Sequence, residues 1–182
     1  MKKALAMVEY KTVSSGMQAA DIMVKTADVE VIEATTVCPG KYMVLISGEL
    51  SAVRAAVEAA AAKLPDSLID KFVLGNPHES IFTALYGTTD IGNRDALGVI
   101  ETFSSCSAIV AADVAAKTSL VDLIELRLSR GMCGKSYVLL TGGIAAVEAA
   151  VDRAKKSVGE DGMFLDSAVI PHPDEKIWHS IL

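Results

Sequence analysis

The residues with the most reactive chemistry in this sequence are its three cysteines, Cys38, Cys106 and Cys133. A thiolate is at once a nucleophile, a redox centre and a soft metal ligand. Cys38 stands in Thr36-Val37-Cys38-Pro39-Gly40-Lys41, between two runs that read as β-strands. Proline fixes its own φ and biases Cys38 toward extended backbone, and the following glycine supplies a conformation other residues avoid. The stretch predicts a tight turn that holds a sulfur out toward a partner. One thiol is too few for a metal cluster, so something must bring several together. Cys133 lies in Arg130-Gly131-Met132-Cys133-Gly134 and is a weaker candidate for a metal or redox role. Cys106, near the start of a helix, reads as a small packed hydrophobe. The odd count and the lack of a CxxC pair argue against a disulfide scaffold and for a reducing cytosol.

The other candidates point to structure more than to catalysis. Glu9 and Glu101 are strand acids related by repetition, not by catalytic spacing. His78 and His172 each follow a proline without an accompanying carboxylate or cysteine cluster, which suits a loop or an edge. Gly40 and Gly134 lack the GxGxxG or GxxxxGK context of a phosphate cradle. No Ser-His-Asp or Cys-His arrangement is legible, so a hydrolase is not indicated. A net charge of −6 with scattered basic residues argues against nucleic acid as a partner. The 51% hydrophobic and 22% charged content is that of a globular chain. The opening Met1-Lys2-Lys3-Ala4-Leu5 imitates a signal peptide, but Glu9 breaks the apolar run and no cleavage pattern follows. No apolar stretch is long enough to span a bilayer. The expectation is a soluble cytoplasmic chain without a membrane partner.

The elements that would position these residues occur twice. Ala4-Leu5-Ala6-Met7-Val8-Glu9 matches Ala96-Leu97-Gly98-Val99-Ile100-Glu101. Ala19-Ala20-Asp21 and Lys25-Thr26 match Ala111-Ala112-Asp113 and Lys117-Thr118 in the same register. Past an insertion between Glu125 and Gly134, Gly40-Lys41 meets Gly134-Lys135, Gly48 meets Gly142, and Pro77-His78 meets Pro171-His172. The second-copy counterpart of Cys38 is then Met132, while Cys133 aligns with Pro39. The predicted domains are 1–91 and 92–182. In the first, strands are expected at Leu5–Tyr10, Val29–Val37, Tyr42–Ser47 and Leu68–Leu74. Helices are expected at Met17–Thr26, capped from Ser14-Ser15-Gly16, at Glu49–Lys63 and at Ser80–Tyr86. The second copy repeats the order: Leu97–Thr102, Ile109–Thr118, Val121–Leu128, Tyr137–Thr141, Ile144–Ser157 and Met163–Ile170. The fold class is α+β, two tandem β-α-β-β-α-β (ferredoxin-like) domains.

Taken in order and repeated, these motifs resemble the bacterial microcompartment (BMC) shell domain. They are Val8-Glu9, Ala20-Asp21, Lys25-Thr26-Ala27-Asp28-Val29, Gly48 before an Ala-Val helix, and Asn76-Pro77-His78. The resemblance covers nearly the whole chain. It implies a homotrimer whose six domains form a flat pseudohexameric tile, joined edge to edge to other shell proteins around enzymes. Cys38-Pro39-Gly40-Lys41 further resembles a tandem shell protein of propanediol-utilisation compartments that carries a 4Fe-4S cluster at the trimer centre. Carried over, Cys38 is the metal ligand, with one cluster per trimer held by three protein thiolates. Val37, Pro39, Gly40, Met132, Cys133 and Gly134 would then line the pore, and Lys25 and Lys117 would lie at the tile edge. The implied role is electron transfer across the shell, with an encapsulated flavin or iron–sulfur reductase as partner. Cluster delivery or storage, a metabolite-conducting pore without a cluster, and a soluble ferredoxin-like enzyme or binding protein stay open as alternatives.

Overall fold

The computed structural model describes residues 4–181. Met1–Lys3, part of the leader-like opening, and the outermost ends of both predicted domain ranges lie outside the described residues.

The chain forms two compact units. The first comprises the chain up to Pro77 together with Ser104–Ser107 and Leu128–Lys135. Its elements run β1 (Ala4–Tyr10), α1 (Val13–Thr26), β2 (Glu30–Val37), β3 (Lys41–Gly48), α2 (Leu50–Lys63), a 3-10 turn at Pro65–Ser67, and β4 (Leu68–Leu74). The antiparallel sheet has the order β2-β3-β1-β4, so β3 lies between the two strands joined by α1. This is the split βαβ arrangement expected from the repeat.

Alternation along β1 puts Ala4, Ala6, Val8 and Tyr10 into one core with Tyr42, Val44 and Ile46 of β3, Ala19 and Met23 of α1, and Val53, Ala56, Val57 and Ala60 of α2. The opposite face of the same strands is also dry. Leu5, Met7, Glu9, Met43 and Leu45 are all buried. Two-sided burial is why β1 reads as a nearly continuous apolar run, and it makes the acid at position 9 conspicuous. Small residues let the helices approach closely. A Cβ on Gly16 would lie 2.3–2.5 Å from the Tyr42 side chain, so α1 seats on the sheet only because that position is bare.

Helix α1 begins earlier than expected. Its first residue is Val13 rather than Met17, and the cap is Thr12, whose Oγ1 accepts the Ser15 N–H at 3.3 Å. Ser14 and Ser15 therefore lie inside the first turn. Threonine is a favoured N-cap though ranked below serine, and the periodicity of the apolar residues did not distinguish the two starts.

The second unit contains α3 (Ser80–Leu85), β5 (Ala96–Thr102), most of α4 (Ser105–Thr118), β6 (Val121–Arg127), β7 (Ser136–Gly142), α5 (Ile144–Gly159), β8 (Phe164–Pro171) and α6 (Glu175–Ile181). Its sheet order, β6-β7-β5-β8, repeats the first. Helix α4 starts at Ser105, not Ile109. Helix α6 was not expected at all; it buries Trp178 against Leu97 and Ile124. The insertion noted in the sequence falls between β6 and β7, where Leu128–Lys135 replaces the short turn of the first copy.

Candidate functional site

Cys38 sits where its neighbours predicted. Val37 and Lys41 are the last cross-strand pair of β2 and β3, and Cys38-Pro39-Gly40 makes the connection. Gly40 adopts φ +105°, and its N–H closes the turn on the Val37 carbonyl at 2.9 Å. The Cys38–Pro39 peptide is cis. Val37 is buried, Cys38 is half-buried, and Pro39 and Gly40 are exposed. The thiol thus occupies the shoulder of an exposed tip whose root is fixed in the core.

The Leu128–Lys135 stretch packs against this turn within the same unit. The Cys38 N–H donates to the Ser129 carbonyl at 3.3 Å. Ser129, Gly131, Cys133 and Gly134 all have positive φ, so the stretch is tightly coiled. Met132 is half-buried, Cys133 exposed and Gly134 buried. A Cβ on Gly134 would lie 3.1 Å from Pro39 Cδ and 3.0 Å from Lys41 Cε. The predicted pore residues of the two copies are therefore one contiguous cluster around the Cys38 turn. Arg130 and Glu33 form an ion pair that ties the same stretch to β2.

Beneath the turn lies a charge pair that the sequence reading passed over. Glu9 has 0% side-chain exposure and accepts from Lys41 Nζ at 3.0 Å, with Lys41 at 16%. Its second oxygen accepts the Ser105 N–H at 2.9 Å. Lys41 Nζ also donates to the Gly134 carbonyl at 3.2 Å, and Ser129 Oγ donates to the same carbonyl at 3.1 Å. Burial pushes the Glu9 carboxyl above its ordinary value, opposed by the charge and hydrogen bond of Lys41. The β-ladder with β4 shifts register between Glu9 and Tyr10, a local irregularity of the kind that re-aims side chains. Ser104 and Ser107 hydroxyls donate to Asp70, so two strand acids, Glu9 and Asp70, cap the first turn of α4. Cys106, in that turn, is buried with its thiol pushed well up by burial, and its Sγ faces the Met7 carbonyl at 3.8 Å. It is the packed hydrophobe that its sequence suggested.

The remaining candidates are peripheral. Lys25 pairs with the exposed Asp21 at 2.7 Å and Lys117, exposed at its helix end, with the buried Asp113 at 2.6 Å, each pair one turn apart. His78 Nδ1 meets Ser80 Oγ at 2.7 Å, and His172 Nδ1 meets Asp95 at 2.9 Å. Glu101 is only half-buried, unlike Glu9. Among the described residues no group of three or more His, Cys, Asp or Glu in one chain converges as a metal site. Nor is any helix among them long and apolar enough to cross a membrane.

The comparisons with known proteins match this architecture. The family model for the BMC domain matches residues 4–77 and again 96–173. The chain belongs to the BMC-domain family. As a tandem BMC protein it is 35% identical over 182 residues to the bacterial microcompartment shell protein PduT of Citrobacter freundii, covering 100% of this chain and 99% of that one. A crystal structure of a microcompartment protein from Desulfitobacterium hafniense superposes with a TM-score of 0.85 at 44% identity, covering 98% of this chain and 99% of that one. The major carboxysome shell protein CsoS1 of Prochlorococcus marinus, 37% identical over 95 residues, covers only 50% of this chain. That last match spans a single BMC unit, as a two-copy chain requires.

Proposed function

We propose that this BMC protein, a structural component of a microcompartment shell rather than an enzyme, assembles as a homotrimer. Its six domains, taken as 1–91 and 92–182 in each chain, form a pseudohexameric tile that joins other shell proteins edge to edge. Lys25 and Lys117 stand on exposed helix ends suited to that edge. A 4Fe-4S cluster is held on the threefold axis by Cys38 of each chain. Iron–sulfur clusters want thiolate ligands, and cyclic symmetry repeats one thiol three times around a shared centre.

The observation that carries this reading is the Cys38 turn itself: a half-buried cysteine at the shoulder of an exposed tip whose backbone is pinned from two sides. A donor of that kind fits a cluster shared between chains, because little ordering remains to be done when the ligand binds. Val37 anchors the turn in the core, Pro39 and Gly40 face outward, and Met132, Cys133 and Gly134 border it. When bound, the cluster supplies a one-electron site, and electron transfer across the shell to an encapsulated flavin or iron–sulfur reductase follows from that position. Cluster delivery would instead require iron to leave the protein.

Anaerobic reconstitution of the wild type and of Cys38→Ser tests the assignment. The wild type should show iron–sulfur absorption and an EPR signal on reduction, and Cys38→Ser should lose both. A signal that persists in Cys38→Ser overturns the ligand assignment. A trimer that never takes up iron leaves a tile with a metabolite pore.

A further inference from the structure

Glu9 and Lys41 of the first copy correspond to Glu101 and Lys135 of the second. In the first copy the acid is fully buried and the lysine side chain is 16% exposed. In the second, Glu101 is half-buried and Lys135 exposed. Within a single chain, the buried ion pair lies in the copy that bears the thiol.

Its geometry relates it to that thiol. Lys41 closes the hairpin opposite Val37, so its backbone is part of the Cys38 turn. Glu9 draws the ammonium inward to 3.0 Å, and the Gly134 carbonyl holds it from the other side at 3.2 Å. Gly134 must be bare for this. The place its Cβ would occupy is 3.1 Å from both Lys41 Nζ and Pro39 Cδ. The ammonium and the Pro39 ring of the Cys38 turn thus flank the same bare position at Gly134. A buried charge is screened far less than a surface charge, so it acts on whatever Cys38 binds.

We propose that Lys41 is a positioning residue for the Cys38 ligand: anchored by Glu9, it braces the turn against Leu128–Lys135 and places a fixed positive charge behind the bound centre. This rests on Cys38 being the cluster ligand. A positive charge there favours the more negative, reduced state of the centre. Truncating Lys41 removes it, whereas neutralising Glu9 leaves it uncompensated.

The test uses anaerobically reconstituted trimers of wild type, Lys41→Met, Lys41→Arg, Glu9→Gln and the double variant Glu9→Gln/Lys41→Met. Midpoint potential is followed by EPR-monitored titration, and amide hydrogen exchange by mass spectrometry. Lys41→Met should lower the potential and Glu9→Gln raise it, with Lys41→Arg close to wild type. Exchange across residues 37–41 and 128–135 should quicken in Lys41→Met. The double variant, with no buried charge left unpaired, should regain protection, and its potential should lie between those of the two single variants. Failure of Lys41→Met to load iron while Lys41→Arg loads it carries the same meaning as a shift. Loaded variants with wild-type potentials and exchange overturn the inference alone. So do shifts of one sign in both single variants. A wild type that takes up no cluster overturns the cluster reading and this inference with it.

Discussion

Truncating Lys41 offers a quantitative test of the charge pair beneath the turn. In Lys41→Met, Glu9 stays fully buried and retains the Ser105 N–H, but it loses the ammonium at 3.0 Å. Breaking a buried pair by removing one partner costs about 3–5 kcal/mol. Protonation sets a ceiling on this. A carboxyl whose ordinary value is 4.5 can be neutralised at pH 7.5 for about 4 kcal/mol and at pH 6 for about 2 kcal/mol, at roughly 1.4 kcal/mol per pH step.

The sign follows from linkage. In the wild type burial already holds the Glu9 carboxyl high, with Asp70 adding to it and Lys41 opposing. Removing Lys41 raises it further, so the folded variant binds more protons than the unfolded chain above about pH 4.5. Its stability therefore falls as pH rises through that window. Urea unfolding of both proteins at one fixed protomer concentration, from pH 5 to pH 7.5, should show a deficit that is small at the acid end and grows to about 3–4 kcal/mol. Fixed concentration matters because the stability of any oligomer depends on it. A deficit that is constant with pH, or absent at pH 7.5, would refute the reasoning.

Other outcomes follow from single contacts. Among the described residues the buried Tyr10 hydroxyl has no hydrogen-bond partner, and burial pushes it up to about 12. Tyr10→Phe should therefore leave thermal stability unchanged or raise it by about 1 kcal/mol. Gly16→Ala would drive a methyl into Tyr42 and should destabilise the first unit by about 1–3 kcal/mol in chemical melts. The second copy, with Ala108 and Ser136 at the corresponding positions, has room for the helix methyl because the facing strand residue is small. Under native alkylation followed by peptide mass spectrometry, Cys106 should label last of the three thiols, and equal labelling would contradict its packed state.

The element order was legible because the repeat states it twice, and the sheet order follows from the split βαβ rule. The Cys38 turn was legible because proline and glycine act locally. Helix starts were less so: Thr12 outcompeted the serines that follow it, and α6, with seven residues, is too short for a periodicity to stand out. The Glu9–Lys41 pair was not legible. Its members are separated by a helix and a strand, and an acid in an apolar strand looks the same whether it faces water or an ammonium. One signal did exist: β1 is apolar on both faces, so a charge within it needed a buried partner. The placement of Arg130-Gly131-Met132-Cys133-Gly134 against the Cys38 turn likewise depends on tertiary packing that no local pattern encodes.

The most direct measurement is native mass spectrometry of anaerobically purified protein, with iron and sulfide counted on the same sample. Cys38 as a shared ligand predicts a trimer carrying about four irons and four sulfides per three chains, all lost in Cys38→Ser. A trimer of bare polypeptide mass after reconstitution, or iron bound in proportion to single chains, would contradict it.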